Sequence, residues 1–249
     1  MRYFLELSYN GKNYHGWQVQ PNVVSVQEKI NDGLSKLLKT SINIMGAGRT
    51  DAGVHASQMF AHFDFEGEFD KPTLIDRLNS FLPDDIVILS IFPVHPKAHT
   101  RFHATSRSYE YRLYLGRNPF LLETTWQLYR YELDVKKMNE SASLLLDYID
   151  FKCFSKSSDV NTYNCNVTEA IWKQEDNMLV FHITADRFLR NMVRAIVGTL
   201  IDIGLGKNTI GDFKKIIESR SRAEAGFSVP AKGLFLTKII YPKTIIEDE

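Results

Sequence analysis

The chain has 249 residues, 44% of them apolar, which is enough to fill the core of one large domain or two small ones and excludes both a peptide and a long repeat array. Its 30 Lys and Arg residues balance 30 Asp and Glu residues, so no global field attracts a polyanion, and any nucleic-acid affinity must come from local patches. Only Cys153 and Cys165 are present, which excludes a disulfide scaffold or zinc ribbon and fits a reducing compartment.

The start, MRYFLELSYNG, alternates instead of running apolar, and no segment reaches about 18 consecutive apolar residues. The expectation is a soluble, cytoplasmic protein that does not enter a membrane. Arg2 to Tyr9 places Tyr3, Leu5, Leu7 and Tyr9 on one side, the period of a half-buried strand. After the turn residues Asn10-Gly11 and Pro21-Asn22, Val26, Ile30, Leu34, Leu37 and Leu38 recur at helical spacing behind Ser25, a suitable N-cap. Strands are expected around Ile42 to Met45 and Gln58 to Phe65, then a helix opening near Pro72 and a strand from Ile86 to Ile91.

Pro93 and Pro96 punctuate the end of this half. Ser106 to Leu115 then alternates Tyr109, Tyr111, Leu113 and Leu115 with polar residues, opening a second half. Its expected elements are a strand around Trp126 to Tyr131, a helix capped by Asp134 and running to Leu146, and strands near Val167 to Lys173 and Met178 to Ala185. An apolar helix from Leu189 to Ile203, a shorter helix and a final strand from Leu234 to Tyr241 follow. The similar order of elements in the two halves predicts an α+β fold of two ferredoxin-like α/β units, residues 1–104 and 105–249, sharing a central, mostly antiparallel sheet.

The stretch with most chemical content is Gly46-Ala47-Gly48-Arg49-Thr50-Asp51-Ala52-Gly53-Val54-His55-Ala56. Three glycines permit close backbone approach around a carboxylate with small neighbours. A phosphate cradle fits poorly, because the Walker spacing is absent and a central carboxylate repels phosphate. A connecting loop closed by an Asx-turn at Asp51 and a working site both remain open from composition alone. Elsewhere, Arg194 lies beside the apolar stripe Leu189, Met192, Val193, Ile196, Val197 and Leu200, as either a surface charge or a cleft-facing one.

The window from His95 to Arg117 holds Lys97, Arg101, Arg107, Arg112 and Arg117 against the single acid Glu110. It reads as a local basic track or as a charged strand edge, with Arg187, Arg190 and Arg194 as a second basic cluster. His95, His99 and His103 have metal-face spacing, but Pro96 disfavours a helix there and no Cys or acidic cluster joins them, so no metal site is expected. The acidic run Asp64, Glu66, Glu68 and Asp70 reads as a solvated strand end.

The nine residues Gly48-Arg49-Thr50-Asp51-Ala52-Gly53-Val54-His55-Ala56 resemble the signature of the tRNA pseudouridine synthase A family. Further blocks resemble it in family order: Gly16-Trp17-Gln18 with Gln20-Pro21-Asn22, Asn79 with Leu82-Pro83 and Asp85-Ile86, Phe102-His103-Ala104 with Arg107 and Tyr109-Glu110-Tyr111, Met192-Val193-Arg194 with Ile196-Val197-Gly198, and Lys232-Gly233-Leu234. The resemblance departs at Ala98-His99-Thr100-Arg101 and at Asn13-Tyr14-His15. It implies the pseudouridine synthase fold and a cofactor-free isomerase, a homodimer acting on tRNA. Uridine would become pseudouridine in the anticodon stem-loop, at family positions 38, 39 and 40.

By the same resemblance Asp51 is the nucleophile, Tyr109 contacts the target base, Arg194 pairs with the aspartate, and Arg49 lies close to the RNA-facing site. From the basic window, Arg107 joins the expected substrate-binding set. These residue types suit the reaction. A carboxylate can add to ribose C1′ or uracil C6, a guanidinium keeps it ionised, and a tyrosine offers a stacking face and a hydroxyl able to relay the C5 proton. The competing expectation is a non-catalytic RNA-binding protein on the same scaffold, and a weaker one is a phosphate-binding enzyme using the glycine loop.

Overall fold

The computed structural model describes residues 1–157 and 160–245. Two compact units divide the chain: Met1–Thr105 together with Phe235–Glu249, and Ser106–Leu234. The last strand therefore groups with the N-terminal unit, where a cut at 104/105 alone leaves it with the second. Its residues Phe235 and Leu236 pair parallel with His55 and Ala56.

In the first unit the strands are β1 (Arg2–Tyr9), β2 (Met45–Gly46), β3 (His55–Asp64) and β4 (Ile86–Val94), with two helices, α1 (Val26–Leu38) and α2 (Lys71–Phe81). Strand β1 runs antiparallel between β3 and β4, and β2 pairs antiparallel with β3. Ser25 and Glu28 form a reciprocal capping box at the start of α1, and Asp70 caps α2 through the Thr73 N–H. Two residues of the acidic run are thus structural: Asp70 caps, and Asp64 binds the Arg2 guanidinium at 2.7 and 2.8 Å, which holds its carboxyl below the usual range. The expected strand at Ile42 to Met45 shrinks to Met45–Gly46. Side chains of α1 take its backbone donors instead, since Ile42 N–H bonds Ser35 Oγ and Ile44 N–H bonds Asn31 Oδ1.

The second unit contains β5 (Ser106–Leu115), β6 (Trp126–Leu128), α3 (Val135–Ser143), β7 (Val167–Glu175), β8 (Met178–Ala185), α4 (Met192–Gly204) and α5 (Ile210–Ser219). Strand β8 lies antiparallel between β5 and β7, and β6 pairs parallel with β5. Beyond Leu128 the strand expected to reach Tyr131 ends, and Arg130 takes a left-handed φ of 68°. The helix expected to reach Leu146 tightens into a 3₁₀ turn at Leu144–Asp147, and the one expected from Leu189 starts only after Asn191, whose φ is 67°. Helix α4 is buried on almost every side, so packing all round stabilises it, as for a core helix. The remaining strand, β9 (Leu234–Ile240), completes the α+β fold, in which antiparallel pairing predominates. Among the described residues no helix is long and apolar enough to cross a membrane.

Candidate active site

In the first unit Asp51 sits on the loop between β2 and β3, half-buried, with Arg49 exposed two residues earlier. Hydrogen bonds from three directions fix this loop. Trp17 N–H donates to Thr50 O at 3.3 Å, Gly53 N–H to Tyr14 O at 3.3 Å, and Val54 N–H to Asp51 O at 3.1 Å. Tyr9 Oη and Thr50 Oγ1 are 2.9 Å apart, which ties the residue before Asp51 to the end of β1. His55 is a support residue: its Nδ1 accepts from Gly11 N–H at 3.0 Å, and its buried ring stacks on Phe235 at 4.5 Å.

The glycines around this loop act by size. A Cβ on Gly16, whose φ is +90°, would lie 2.4 Å from Thr50 O and 3.2 Å from the Asp51 carbonyl carbon. A Cβ on Gly46 would strike the Trp17 indole at 2.4 Å. Gly16 and Gly46 thus let the Trp17 segment and the Asp51 loop lie directly against each other. Gly48, by contrast, has open space where a Cβ would stand.

In the second unit the unbroken β5–β8 register from Arg107↔Ala185 to Tyr114↔Met178 sets alternate residues of β5 on opposite faces. Arg107, Tyr109 and Tyr111 share one face. Glu110 and Arg112 share the other, where Arg112 grips Glu110 at 2.8 Å. The basic window therefore divides and does not form a single track: Arg107 and Arg112 point apart, and Arg117 folds over the Tyr129 ring at 4.2 Å. His95, His99 and His103 form no helical face either. Their Nδ1 atoms accept backbone N–H groups of Lys97, Arg101 and His99 in a series of turns.

The Tyr109 ring is half-buried and meets Phe188 edge-on, with centroids 5.1 Å apart. The loop carrying Phe188 is anchored beside it, because Arg107 donates to Asp186 O at 2.7 Å. Arg194 lies in the first turn of α4. Its Nε donates to Val229 O at 2.7 Å, and Val229 N–H returns a bond to Arg194 O at 3.2 Å. The next carbonyl, Pro230 O, accepts from Tyr111 Oη at 2.8 Å. One strap thus joins Arg194 to the Tyr109–Tyr111 face.

Two glycines allow that strap to lie flush. A Cβ on Gly198 would sit 1.9 Å from Phe227 O, and one on Gly233 would sit 2.8 Å from the Tyr111 ring. Arg222 secures the strap with bonds to Ala225 O, Gly226 O and Ser228 Oγ at 2.9 to 3.2 Å. Burial raises the Tyr111 phenol well above its ordinary value, opposed in part by the nearby Arg194 charge, so it stays a hydrogen-bond donor.

The first unit thus presents a half-buried carboxylate on a restrained loop, and the second unit carries a half-buried tyrosine ring and an arginine bonded to Val229 O. A profile of the family described as tRNA pseudouridine synthase matches residues 148–242. The tRNA pseudouridine synthase A of Parabacteroides distasonis is 50% identical over 250 residues, covering 100% of this chain and 99% of that protein. That of Bacteroides thetaiotaomicron is 49% identical over 252 residues, covering 100% and 93%. That of Clostridium kluyveri is 36% identical over 239 residues, covering 95% and 98%. The fold and these matches define a pseudouridine synthase, an isomerase. The chain belongs to the tRNA pseudouridine synthase A family.

Sequence reasoning did not find Phe188, Val229 or Arg222. Phe188 stands 79 positions from Tyr109, and only the β5–β8 register with the turn after β8 brings them together. The strap offered a signal, since Gly198, Gly226 and Gly233 all sit where a side chain would collide.

Proposed function

We propose that this protein converts uridine to pseudouridine in the anticodon stem-loop of tRNA, with Asp51 as nucleophile, Arg194 as its counterion and Tyr109 facing the base. The observation that carries this reading is the Asp51 loop, held by Trp17, Tyr14 and Tyr9 with glycines at its two close contacts. Such restraint suits a group that must meet a reacting carbon in one geometry. Arg49, beside it and exposed, is assigned to the RNA backbone.

In the reaction the bond from C1′ to N1 breaks, the uracil turns, and C1′ bonds to C5. The hydrogen on C5 leaves as a proton and N1 regains one, so neither redox change nor hydrolysis occurs. Asp51 adds covalently to C1′ or C6 and holds one partner while the other turns. A guanidinium favours the ionised, nucleophilic form of such a carboxylate, typically by about 1–3 pKa units. Arg194, with Nε committed to Val229 O, has a fixed guanidinium plane for that role. Phe188 packs at about a right angle to the Tyr109 ring, with centroids 5.1 Å apart, and helps to position it; the tyrosine is assigned to the base, with its hydroxyl taking the C5 proton. Arg107, on the same strand face, is assigned to an RNA phosphate. The reading includes a cytoplasmic homodimer, for which light scattering after gel filtration is the measurement.

The test is Asp51→Asn, assayed by release of the C5 hydrogen from tritiated uridine in a tRNA transcript and by tRNA affinity. Conversion is expected to vanish while affinity stays within a few-fold of wild type. Undiminished conversion overturns the assignment of Asp51, and a wild-type protein that binds tRNA without converting it is a non-catalytic RNA-binding protein.

A further inference from the structure

Phe102 is 73% exposed, although a buried phenylalanine typically contributes about 1.5–3 kcal/mol. It is nevertheless held against neighbouring side chains. One neighbouring ring is His99, with centroids 4.3 Å apart, and His99 in turn meets His62 at 4.6 Å. His62 is buried in β3, with Nδ1 2.9 Å from Thr100 Oγ1. A short aromatic column therefore runs from the sheet to solvent and ends in Phe102.

The backbone beneath the column is pinned at nearly every residue. Arg2 donates to Ala98 O at 2.8 Å, Tyr241 Oη to Thr100 O at 2.7 Å, and Thr100 Oγ1 to Met45 O at 2.8 Å. Arg101 N–H bonds His99 Nδ1, and His99 N–H bonds His103 Nδ1. Such a ring loses little freedom when a ligand covers it, which is the condition for a strong single contact.

The charge around it is mainly positive. Residues 95–105 contain Lys97, Arg101 and three histidines and no acid. The Arg101 guanidinium carbon lies 5.7 Å from the Phe102 centroid, and the nearby acid Asp64 is bound to Arg2. Burial, with the charges of Arg2, His103 and Arg101, lowers the His99 pKa. A lone rigid ring among cations suits a stacked base with its phosphate more than a second copy of this chain, which would need a broad apolar patch.

We propose that Phe102 is a stacking platform for an unpaired base of the RNA substrate, with Arg101 beside it for the adjoining phosphate. The proposal rests on the reading that this protein acts on tRNA. It adds a second aromatic contact to the one assigned to Tyr109.

The experiment measures affinity for an unmodified tRNA transcript, and turnover, for wild type, Phe102→Ala and Phe102→Trp. Loss of one stacked base weakens binding by roughly 5- to 150-fold. Phe102→Ala is therefore expected to raise Kd and KM by at least about fivefold, with kcat, melting temperature and the salt dependence of binding unchanged, while Phe102→Trp retains wild-type affinity. A photoreactive p-benzoylphenylalanine at position 102 should crosslink to RNA. The proposal is overturned if Phe102→Ala binds like wild type, if the crosslink joins two protein chains, or if the alanine variant changes oligomeric state. If wild type fails to bind tRNA, the proposed function falls with it; if wild type binds and converts tRNA while Phe102→Ala matches it, only the platform falls.

Discussion

Gly16→Ala tests whether the position of the Asp51 loop sets the rate. The new Cβ would stand 2.4 Å from Thr50 O, and contacts below 3.0 Å essentially do not occur, so Thr50 and the attached Asp51 must retreat by roughly 0.6–1 Å. Gly16 also has a φ of +90°, which L side chains rarely adopt; a left-handed conformation adds about 1–2 kcal/mol of strain. With the displaced Trp17 N–H to Thr50 O bond, the total destabilisation is about 2–3 kcal/mol, and the melting temperature should fall by roughly 4–12 °C. A displacement near 1 Å at a reacting group lowers turnover by about a hundredfold.

The assay pairs C5-hydrogen release at saturating tRNA with thermal unfolding, using Gly48→Ala as the comparison. Open space surrounds the Cβ position of Gly48, so its melting temperature should match wild type. If Gly16→Ala retains wild-type turnover at a temperature where it is folded, then Asp51 is not the reacting group or its placement does not limit the rate.

Two further outcomes follow from the surroundings of named side chains. Burial, helped by the charges of His99 and Arg2 and opposed by Asp64, lowers the pKa of His62 from 6.5 to about 4. The unfolded chain therefore binds this proton first, and the stability present above about pH 6.5 is lost as pH falls toward 4, by up to about 3 kcal/mol. Denaturant midpoints at pH 7 and 5 should show this loss in wild type and a smaller one in His62→Asn, and equal losses would refute it. For RNA binding, Arg107→Ala should reduce the slope of log affinity against log salt by about one, as for one lost phosphate contact. Arg112→Ala should change it less, because Glu110 already holds that guanidinium on the opposite face; identical slopes for both variants would remove Arg107 from the RNA contact set.

Local chemistry announced itself in the sequence wherever a short segment decides its own conformation. Ser25 and Asp134 cap their helices as their residue type suggests, and Ser106–Leu115 and Met178–Ala185 form strands where polar and apolar residues alternate. The expectation failed where distant groups decide. Ile42 and Ile44 have strand-like composition, yet Ser35 and Asn31 take their N–H groups. The basic window looked continuous as a string of letters, whereas strand alternation sends Arg107 and Arg112 to opposite faces.

The nine-residue motif around Asp51 is contiguous, so its residue types and their order specify the candidate chemistry and the family without coordinates. Which groups hold those residues in place is a matter of tertiary structure alone. Val229 against Arg194, Phe188 against Tyr109, and Trp17 against the Asp51 loop each join residues far apart in the chain. Periodicity reports which side of an element is apolar, but it carries no information about which distant segment will cover that side. Strand register and the close approach permitted by glycine make that choice.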